Sequence, residues 1–85
     1  MARTKIEEPH AVDLHVGRRV QERRLELGLT QSALARAVGV SFQQVQKYEK
    51  GSNRVSASKL FEIGKVMGVD TPYFFLGLDG VAPNA

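Results

Sequence analysis

TQSALARAVGVSFQQVQKYEKG, residues 30–51, combines two short helical patterns with a tight turn between them. Thr30 is suited to cap the first helix, because its hydroxyl accepts a hydrogen bond from an otherwise unpaired backbone N–H. Gly39 stands where helices commonly end in a left-handed residue, a conformation that costs glycine little. Between these two residues, apolar side chains recur at helical spacing on one face, at Leu34, Ala35 and Val38.

A second helix is expected immediately after this turn. Ser41 and Gln44 form a capping-box pattern, in which two residues three apart satisfy free backbone N–H groups. The helix 42–50 then turns Val45 inward and carries polar side chains on the opposite face, at Gln43, Lys47 and Lys50. Two helices joined by a short turn that contains glycine form a helix-turn-helix.

The outer face of the second helix carries amide and ammonium groups instead of the Leu or Ile expected at a buried surface. Glutamine pairs bidentately with the edge of adenine in the major groove, and lysine reaches guanine acceptors or phosphates. The alternative is an ordinary solvated face, because glutamine and lysine are also good helix formers. The position of this face directly after a helix-turn junction favours recognition of DNA.

The longer run GLTQSALARAVGVSFQQVQKYEKG resembles the xenobiotic-response-element family of bacterial and phage regulators, whose DNA-binding domain is similar to that of phage lambda repressor. The family pattern is approximately G-L-[ST]-Q-x-x-L-A-x-x-x-G-V-[ST]-x-x-x-[VI]-x-x-[YW]-E-x-G. The resemblance extends from about Val16 to Leu76. This chain matches the pattern, at fixed spacing and without a gap, at Gly28, Leu29, Thr30, Gln31, Leu34, Ala35, Gly39, Val40, Ser41, Val45, Tyr48, Glu49 and Gly51.

The resemblance implies roles for residues outside the second helix. It implies that Arg24, which follows Val20 by four residues and leans toward the core, forms a structural ion pair with Glu49. It also implies that Gln31 anchors a DNA phosphate and supports the glutamine at Gln43. Phe42 has two interpretations: it folds back as a hydrophobic staple on the turn, or it packs on a thymine methyl group in the groove.

Positive charge is concentrated on the helix-turn-helix and the residues that follow it. Residues 31–59 contain five basic residues and one acidic residue, a net charge of +4. The rest of the chain contains seven basic and eight acidic residues, a net charge of −1, although the whole chain carries +3. This distribution matches the requirement for contact with phosphates.

Composition excludes several other kinds of protein. The chain has no cysteine, so it has neither a disulfide framework nor a thiolate metal site. His10 and His15 lie five residues apart and cannot share a metal on one helix face. No apolar run approaches the length of a membrane span, and no serine lies near a histidine base. We therefore expect no enzyme, no cofactor, no metal, no effector-binding site for a small molecule and no membrane association, and we expect a cytoplasmic protein.

The remaining sequence predicts a compact all-α, five-helix bundle that contains the helix-turn-helix and has a lambda-repressor-like fold. Residues 1–12 are expected to form a flexible arm and residues 78–85 a frayed tail, around a folded domain at 13–77. Glycines at Gly17 and Gly64, inside helices, indicate close approach of a neighbouring element. Capping residues and helix breakers place the three additional helices at Leu14–Leu27 after Asp13, Ala57–Met67 after Ser56, and Tyr73–Leu76 after Thr71-Pro72.

The predicted core is built from aliphatic side chains on the inner faces of these helices. The first helix marks its inner side with Val16, Val20 and Leu27, and Leu25 extends one flank. The residues predicted to form the core of the bundle are Leu29, Leu34, Val38, Val40, Val45, Leu60, Ile63 and Met67.

These features favour a sequence-specific regulator of transcription that binds double-stranded DNA, bacterial or encoded by a phage, with helix 42–50 in the major groove. Base contacts are expected from Phe42, Gln43, Gln44 and Lys47. Backbone contacts are expected from Gln31, Ser41, Lys50, Asn53 and Arg54, and from free backbone N–H groups of residues 51–53. Repressor, activator, antitoxin and restriction-modification controller are all compatible with these residues.

A symmetric homodimer on a palindromic operator is expected, because one recognition helix reads only a few base pairs. A helix of a single turn cannot bury four consecutive apolar residues, so at least one is expected to be exposed in a dimer interface formed by Tyr73, Phe74, Phe75 and Leu76. In the alternative arrangement, residues 78–85 cover this patch and leave a monomer. A protein-interaction module, such as an antitoxin-like subunit, is the alternative function, although the +4 segment favours DNA.

Overall fold

The computed structural model describes residues 10–78 as four α-helices followed by one short 3-10 helix, with no strand in that range. The α-helices are α1 (Ala11–Glu26), α2 (Gln31–Val38), α3 (Phe42–Lys50) and α4 (Ala57–Met67), and the 3-10 helix is Thr71–Phe75. The all-helical fold is as predicted, but the bundle has four α-helices and not five.

The helices α2, α3 and α4 begin and end at the residues that favour helix termini. The side chains of Thr30, Ser41 and Ser56 each accept a hydrogen bond from a backbone N–H three residues later, at 3.0–3.1 Å. Gly39 adopts φ 73° directly after α2, a left-handed conformation that lets the chain reverse into α3. The bounds of α3 and α4 agree with the prediction from sequence.

The N-terminal end of the described chain differs from the prediction. Helix α1 starts at Ala11, because the imidazole Nδ1 of His10 accepts from the Val12 N–H at 3.0 Å and acts as the cap. Asp13 therefore lies within the first turn and is not the cap, and α1 begins three residues before the predicted start at Leu14. Residues 1–9 of the expected arm and 79–85 of the expected tail lie outside the described residues.

The predicted fifth helix at Tyr73–Leu76 is a 3-10 helix that starts two residues earlier, at Thr71. Asp70 precedes it, and its side chain makes no capping hydrogen bond. Thr71 is therefore the first residue of this helix and not its cap. Pro72 fixes the backbone of the first turn. A helical segment of only five residues is typical of the 3-10 form, which occurs mostly in short pieces.

The core lies between α1, α2, α3 and α4 and is closed at one end by the 3-10 helix. Six of the eight residues predicted as the core are buried, whereas Leu29 and Val40 are half-buried at its edge. Val16 and Val20, predicted on the inner side of α1, are also buried. Leu27 and Leu25 were predicted wrongly, since 42% and 61% of their surfaces are exposed at the C-terminal end of α1. The buried apolar residues are Val16, Val20, Leu34, Ala35, Val38, Val45, Tyr48, Leu60, Ile63, Met67 and Phe74.

The close approach predicted at Gly17 is present. A Cβ at Gly17 would overlap the carbonyl oxygen of Tyr48 and lie 2.9 Å from that of Glu49. Helix α1 thus packs directly on the backbone of the last turn of α3. Gly64 is similarly close to its neighbours, because a Cβ there would lie 2.8 Å from the carbonyl oxygen of Val69.

Candidate nucleic-acid interface

The outer face of α3 is polar and open to solvent. Gln43, Lys47 and Lys50 occupy one side of the helix and are all exposed. Gln44, which was predicted with Gln43 and Lys47 to contact bases, is half-buried, and so is Gln46. The structure therefore brings Gln43 and Lys47 together with Lys50, and it places Gln44 at the edge of this surface.

The inner face of α3 holds the helix in place. Val45 is completely buried and Tyr48 is 7% exposed. At its first turn, the hydroxyl of Ser41 accepts from the N–H of Gln44 at 3.0 Å. This capping bond does not use the hydroxyl proton, so the Ser41 O–H can still donate to a phosphate oxygen.

A buried ion pair joins α1 to the end of α3. Arg24 donates from Nε to Oε2 of Glu49 at 2.6 Å and from Nη2 to Oε1 at 3.0 Å. The Arg24 and Glu49 side chains are 9% and 2% exposed, respectively. Arg24 also donates from Nη1 to the carbonyl oxygen of Leu29 at 2.8 Å. This arrangement satisfies both charged groups by bidentate and backbone hydrogen bonds, as a buried pair requires.

Two glutamines extend this ion pair to α2 and to a second position on α1. Gln31, the first residue of α2, donates its amide Nε2 to Oε1 of Glu49 at 2.9 Å. Gln21 of α1 donates to the same oxygen at 3.4 Å. The structure therefore places Gln31 against Glu49, whereas the resemblance had implied that it supports Gln43. Glu49 consequently fixes the relative positions of α1, α2 and α3.

The loop after α3 differs from the prediction in its backbone. The N–H groups of Gly51, Ser52 and Asn53 donate to carbonyl oxygens of the last turn of α3, at 3.0, 3.0 and 3.3 Å. The prediction that these three groups are free to meet a phosphate is therefore wrong. They satisfy the otherwise unpaired carbonyl groups at the end of the helix. The side chain of Asn53 is half-buried.

Arg54, the basic residue of this loop, makes an ion pair across the molecule. Its Nε lies 2.9 Å from Oδ2 of Asp13 in the first turn of α1. The guanidinium side chain remains 63% exposed, whereas the Asp13 side chain is only 14% exposed. Sequence reasoning assigned Asp13 only a capping role and missed this contact, because residues 41 positions apart give no local signal of their proximity.

Phe42 lies at the surface where α3 begins, with 41% of its area exposed. It borders a shallow depression of about 470 Å³ whose other lining residues include Leu25, Leu29 and Gln31. The ring is thus too exposed to be a fully packed hydrophobic staple, but it is not directed entirely into solvent either. Both interpretations of Phe42 remain predictions.

Among residues 31–59, the charged side chains that are exposed to solvent are positive. Glu49, the acidic residue of this segment, is buried against Arg24. Lys47, Lys50 and Arg36 are exposed. Lys59 contributes less to the outer field, because its Nζ contacts the carbonyl oxygen of Val38 at 2.7 Å and Glu62 at 2.8 Å.

The four-residue apolar segment near the C-terminus is less exposed than predicted. Phe74 is completely buried in the core, and Tyr73, Phe75 and Leu76 are half-buried, so the expectation of an exposed member is wrong. Sequence reasoning gave Arg19 of α1 no role in this segment. Its guanidinium carbon lies 4.0 Å from the centre of the Tyr73 ring, and its Nε donates to the Tyr73 carbonyl oxygen at 3.2 Å.

The histidines have structural contacts in this fold. His10 caps α1, and Nε2 of His15 lies 2.7 Å from the carbonyl oxygen of Leu76. Among residues 10–78, no group of three or more His, Asp or Glu side chains is close enough to hold a metal ion. No helix in the same range is long and apolar enough to cross a membrane.

Solved structures share this arrangement of helices. The restriction-modification controller protein C.AhdI from Aeromonas hydrophila superposes with a TM-score of 0.74 and 26% identity, over 78% of this chain and all of that one. The P22 c2 repressor, solved in complex with a synthetic operator, gives a TM-score of 0.68 and 27% identity, over 73% of this chain and 94% of that one.

Related sequences are bacterial regulators. A transcriptional regulator in the ATPase CF(0) region of Rhodospirillum rubrum is 57% identical over 75 residues, which are 88% of this chain and 69% of that protein. The HTH-type transcriptional regulator y4wC of Sinorhizobium fredii is 54% identical over 67 residues, or 79% of this chain and 47% of the relative. The chain thus spans about half the length of y4wC.

The family HTH_3, described as helix-turn-helix, matches residues 20–74, which are more than half of the chain. The matched range contains α2, the turn at Gly39 and α3, together with the Arg24–Glu49 ion pair and α4. This chain belongs to the HTH_3 family of helix-turn-helix proteins, the xenobiotic-response-element type that its sequence pattern resembles.

Proposed function

We propose that this chain binds double-stranded DNA in a sequence-specific manner and regulates transcription, with α3 in the major groove. The observation that carries this proposal is the outer face of α3, where Gln43, Lys47 and Lys50 are exposed while Glu49 of the same helix is buried. Such a face offers amide and ammonium donors to bases and phosphates without presenting a carboxylate.

The proposed base contacts come from the first two turns of α3. Gln43 is suited to pair with an adenine, and Lys47 is suited to reach guanine acceptors one turn later. Gln44 is assigned a secondary role, since it is half-buried, and Phe42 is positioned for apolar contact with a thymine methyl group. Lys50 lies too near the end of α3 for the groove floor and is assigned to phosphate.

The proposed backbone contacts flank the recognition helix on both sides. Gln31 and Ser41 lie at the N-termini of α2 and α3, where the helix dipole favours an anion. Arg54 and the side chain of Asn53 lie on the loop after α3. These contacts set affinity and orientation, whereas the groove contacts of α3 set the preferred sequence.

A homodimer on a two-fold symmetric operator is part of the proposal. One recognition helix reads only a few base pairs, and two helices on half-sites about 34–36 Å apart double the information. The half-buried residues Tyr73, Phe75 and Leu76 provide one candidate surface. Phe61 on α4, with 57% of its area exposed, provides another.

The proposal also includes a location. A regulator of bacterial genes acts in the cytoplasm, where the chromosome lies.

A gel-shift assay with genomic fragments at two salt concentrations tests the proposal. We expect a subset of fragments to be retarded, with affinity that falls steeply as salt rises, because phosphate contacts release counterions. Failure to retard any fragment at low salt, by protein shown to be folded, would contradict DNA binding and favour a protein-interaction module.

A further inference from the structure

The first turn of α1 contacts the loop after the recognition helix at two separate points. Asp13 pairs with Arg54 at 2.9 Å. Gly51, which ends α3 with φ 75°, packs so closely on Leu14 that a Cβ there would lie 2.8 Å from the Leu14 Cα. The backbone of the loop and its basic side chain are therefore both held by the same turn of α1.

The exposures of the two partners show how the ion pair is oriented. The side chain of Asp13 is largely covered, whereas the side chain of Arg54, which pairs with it, remains open to solvent. The described contact uses Nε of Arg54 and leaves the edge formed by its two terminal nitrogens directed away from that bond. The carboxylate is also placed in the first turn of a helix, where the dipole stabilises negative charge.

Two effects on DNA binding are conceivable for such a pair. A carboxylate near DNA repels phosphate and competes for the arginine, which would weaken binding. A carboxylate that fixes the arginine in one orientation instead reduces the side-chain entropy lost on binding. Because the carboxylate is covered and the cation faces outward, the second effect is expected to exceed the first.

We propose that Asp13 is a positioning residue for DNA binding, which holds Arg54 so that its free edge meets a phosphate. This inference rests on the proposed function and extends the DNA-binding apparatus from the helix-turn-helix to the first turn of α1. Because the Arg54 side of the ion pair is open to solvent, the effect is modest, about a two- to fivefold change in affinity.

A double-mutant cycle tests this role. DNA affinity is measured by fluorescence anisotropy, on a fragment selected by the parent protein, for the parent, Asp13→Asn, Arg54→Ala and the double variant. We expect Asp13→Asn to weaken binding by about two- to fivefold in the parent and to have no effect when Arg54 is absent. Glu26→Ala is the matched control, because it also removes one negative charge from α1, at the opposite end of the helix.

The outcomes separate this proposal from the proposed function. Equal effects of Asp13→Asn and Glu26→Ala, or an equal loss with and without Arg54, would overturn the role of Asp13 while leaving DNA binding intact. If the parent protein binds no DNA, the proposed function itself is wrong. NMR detection of the Arg54 Nε–H in the free protein gives a separate readout: slow exchange is expected in the parent and fast exchange in Asp13→Ala, and fast exchange in both overturns the proposal.

Discussion

Arg24 of α1 and Glu49 of α3 form a bidentate ion pair with almost no access to solvent, at 2.6 and 3.0 Å. The acceptor oxygen at 3.0 Å also receives the amide of Gln31 from α2. A single carboxylate therefore connects the helix that precedes the motif with both helices of the motif. The orientation of the outer face of α3 depends on this connection.

Replacement of Arg24 by alanine is expected to destabilise the fold by about 3–5 kcal/mol, because it leaves the buried Glu49 carboxylate without its cation. Thermal and chemical denaturation measure the loss. Arg18→Ala is the control, since Arg18 is an exposed arginine on the same helix and its loss is expected to change stability by less than about 0.5 kcal/mol. Equal stability of the two variants would show that the pair does not support the fold.

Gly17→Ala is expected to destabilise the protein by about 1–3 kcal/mol, although alanine is the better helix former. The added methyl group meets the carbonyl oxygens of Tyr48 and Glu49, which are backbone atoms that cannot rotate away. Urea denaturation of this variant and of the parent measures the change. An increase in stability would mean that α1 and α3 are farther apart than the structure places them.

Two phenylalanines provide a matched test of the core. Phe74 is completely buried, whereas 57% of Phe61 is exposed on α4. Phe74→Ala is expected to cost about 3–5 kcal/mol of stability, because it removes apolar contacts and leaves a cavity. Phe61→Ala is expected to cost well under half as much. If the two variants unfold at the same temperature, the 3-10 helix does not close the core.

The proposed dimer makes a prediction about mass in solution. Analytical ultracentrifugation of the parent is expected to show a monomer–dimer equilibrium that shifts toward dimer with concentration. Phe61→Glu and Phe75→Glu place a charge on the two candidate surfaces, and the variant that stays monomeric identifies the interface. A parent that remains monomeric at high micromolar concentration, with and without DNA, contradicts the dimer.

The helix-turn-helix was predictable because its signals are local. Thr30, Ser41 and Ser56 cap the helices that follow them, and Gly39 permits the left-handed turn, so the bounds of α3 and α4 follow from neighbouring residues. The exposed face of α3 follows from helical periodicity in the same way. Gly17 was informative for a related reason, since a glycine inside a helix has a cost that only close packing offsets.

The features that were predicted wrongly or missed depend on contacts between distant residues. The segment that contains Phe74 appeared too apolar for one turn, but the core closes over it, and Arg19 covers Tyr73 from another helix. The loop N–H groups expected to meet phosphate are used by the end of α3. No local sequence pattern indicates that Asp13 pairs with Arg54, because only the packing of α1 on the loop brings the two residues together.

The central claim is that the side chain of Gln43, exposed on α3, reads base sequence. Binding-site selection with the parent and with Gln43→Ala tests it most directly, with Lys50→Ala as the control for a phosphate contact. We expect Gln43→Ala to bind the parent's preferred site about 1–3 kcal/mol more weakly and to lose discrimination at one base pair of each half-site. Lys50→Ala is expected to keep the parent's sequence preference while the salt dependence of binding decreases by about one unit of slope. If Gln43→Ala selects the same sequence as the parent with unchanged affinity, α3 does not read bases through this face and the account is wrong.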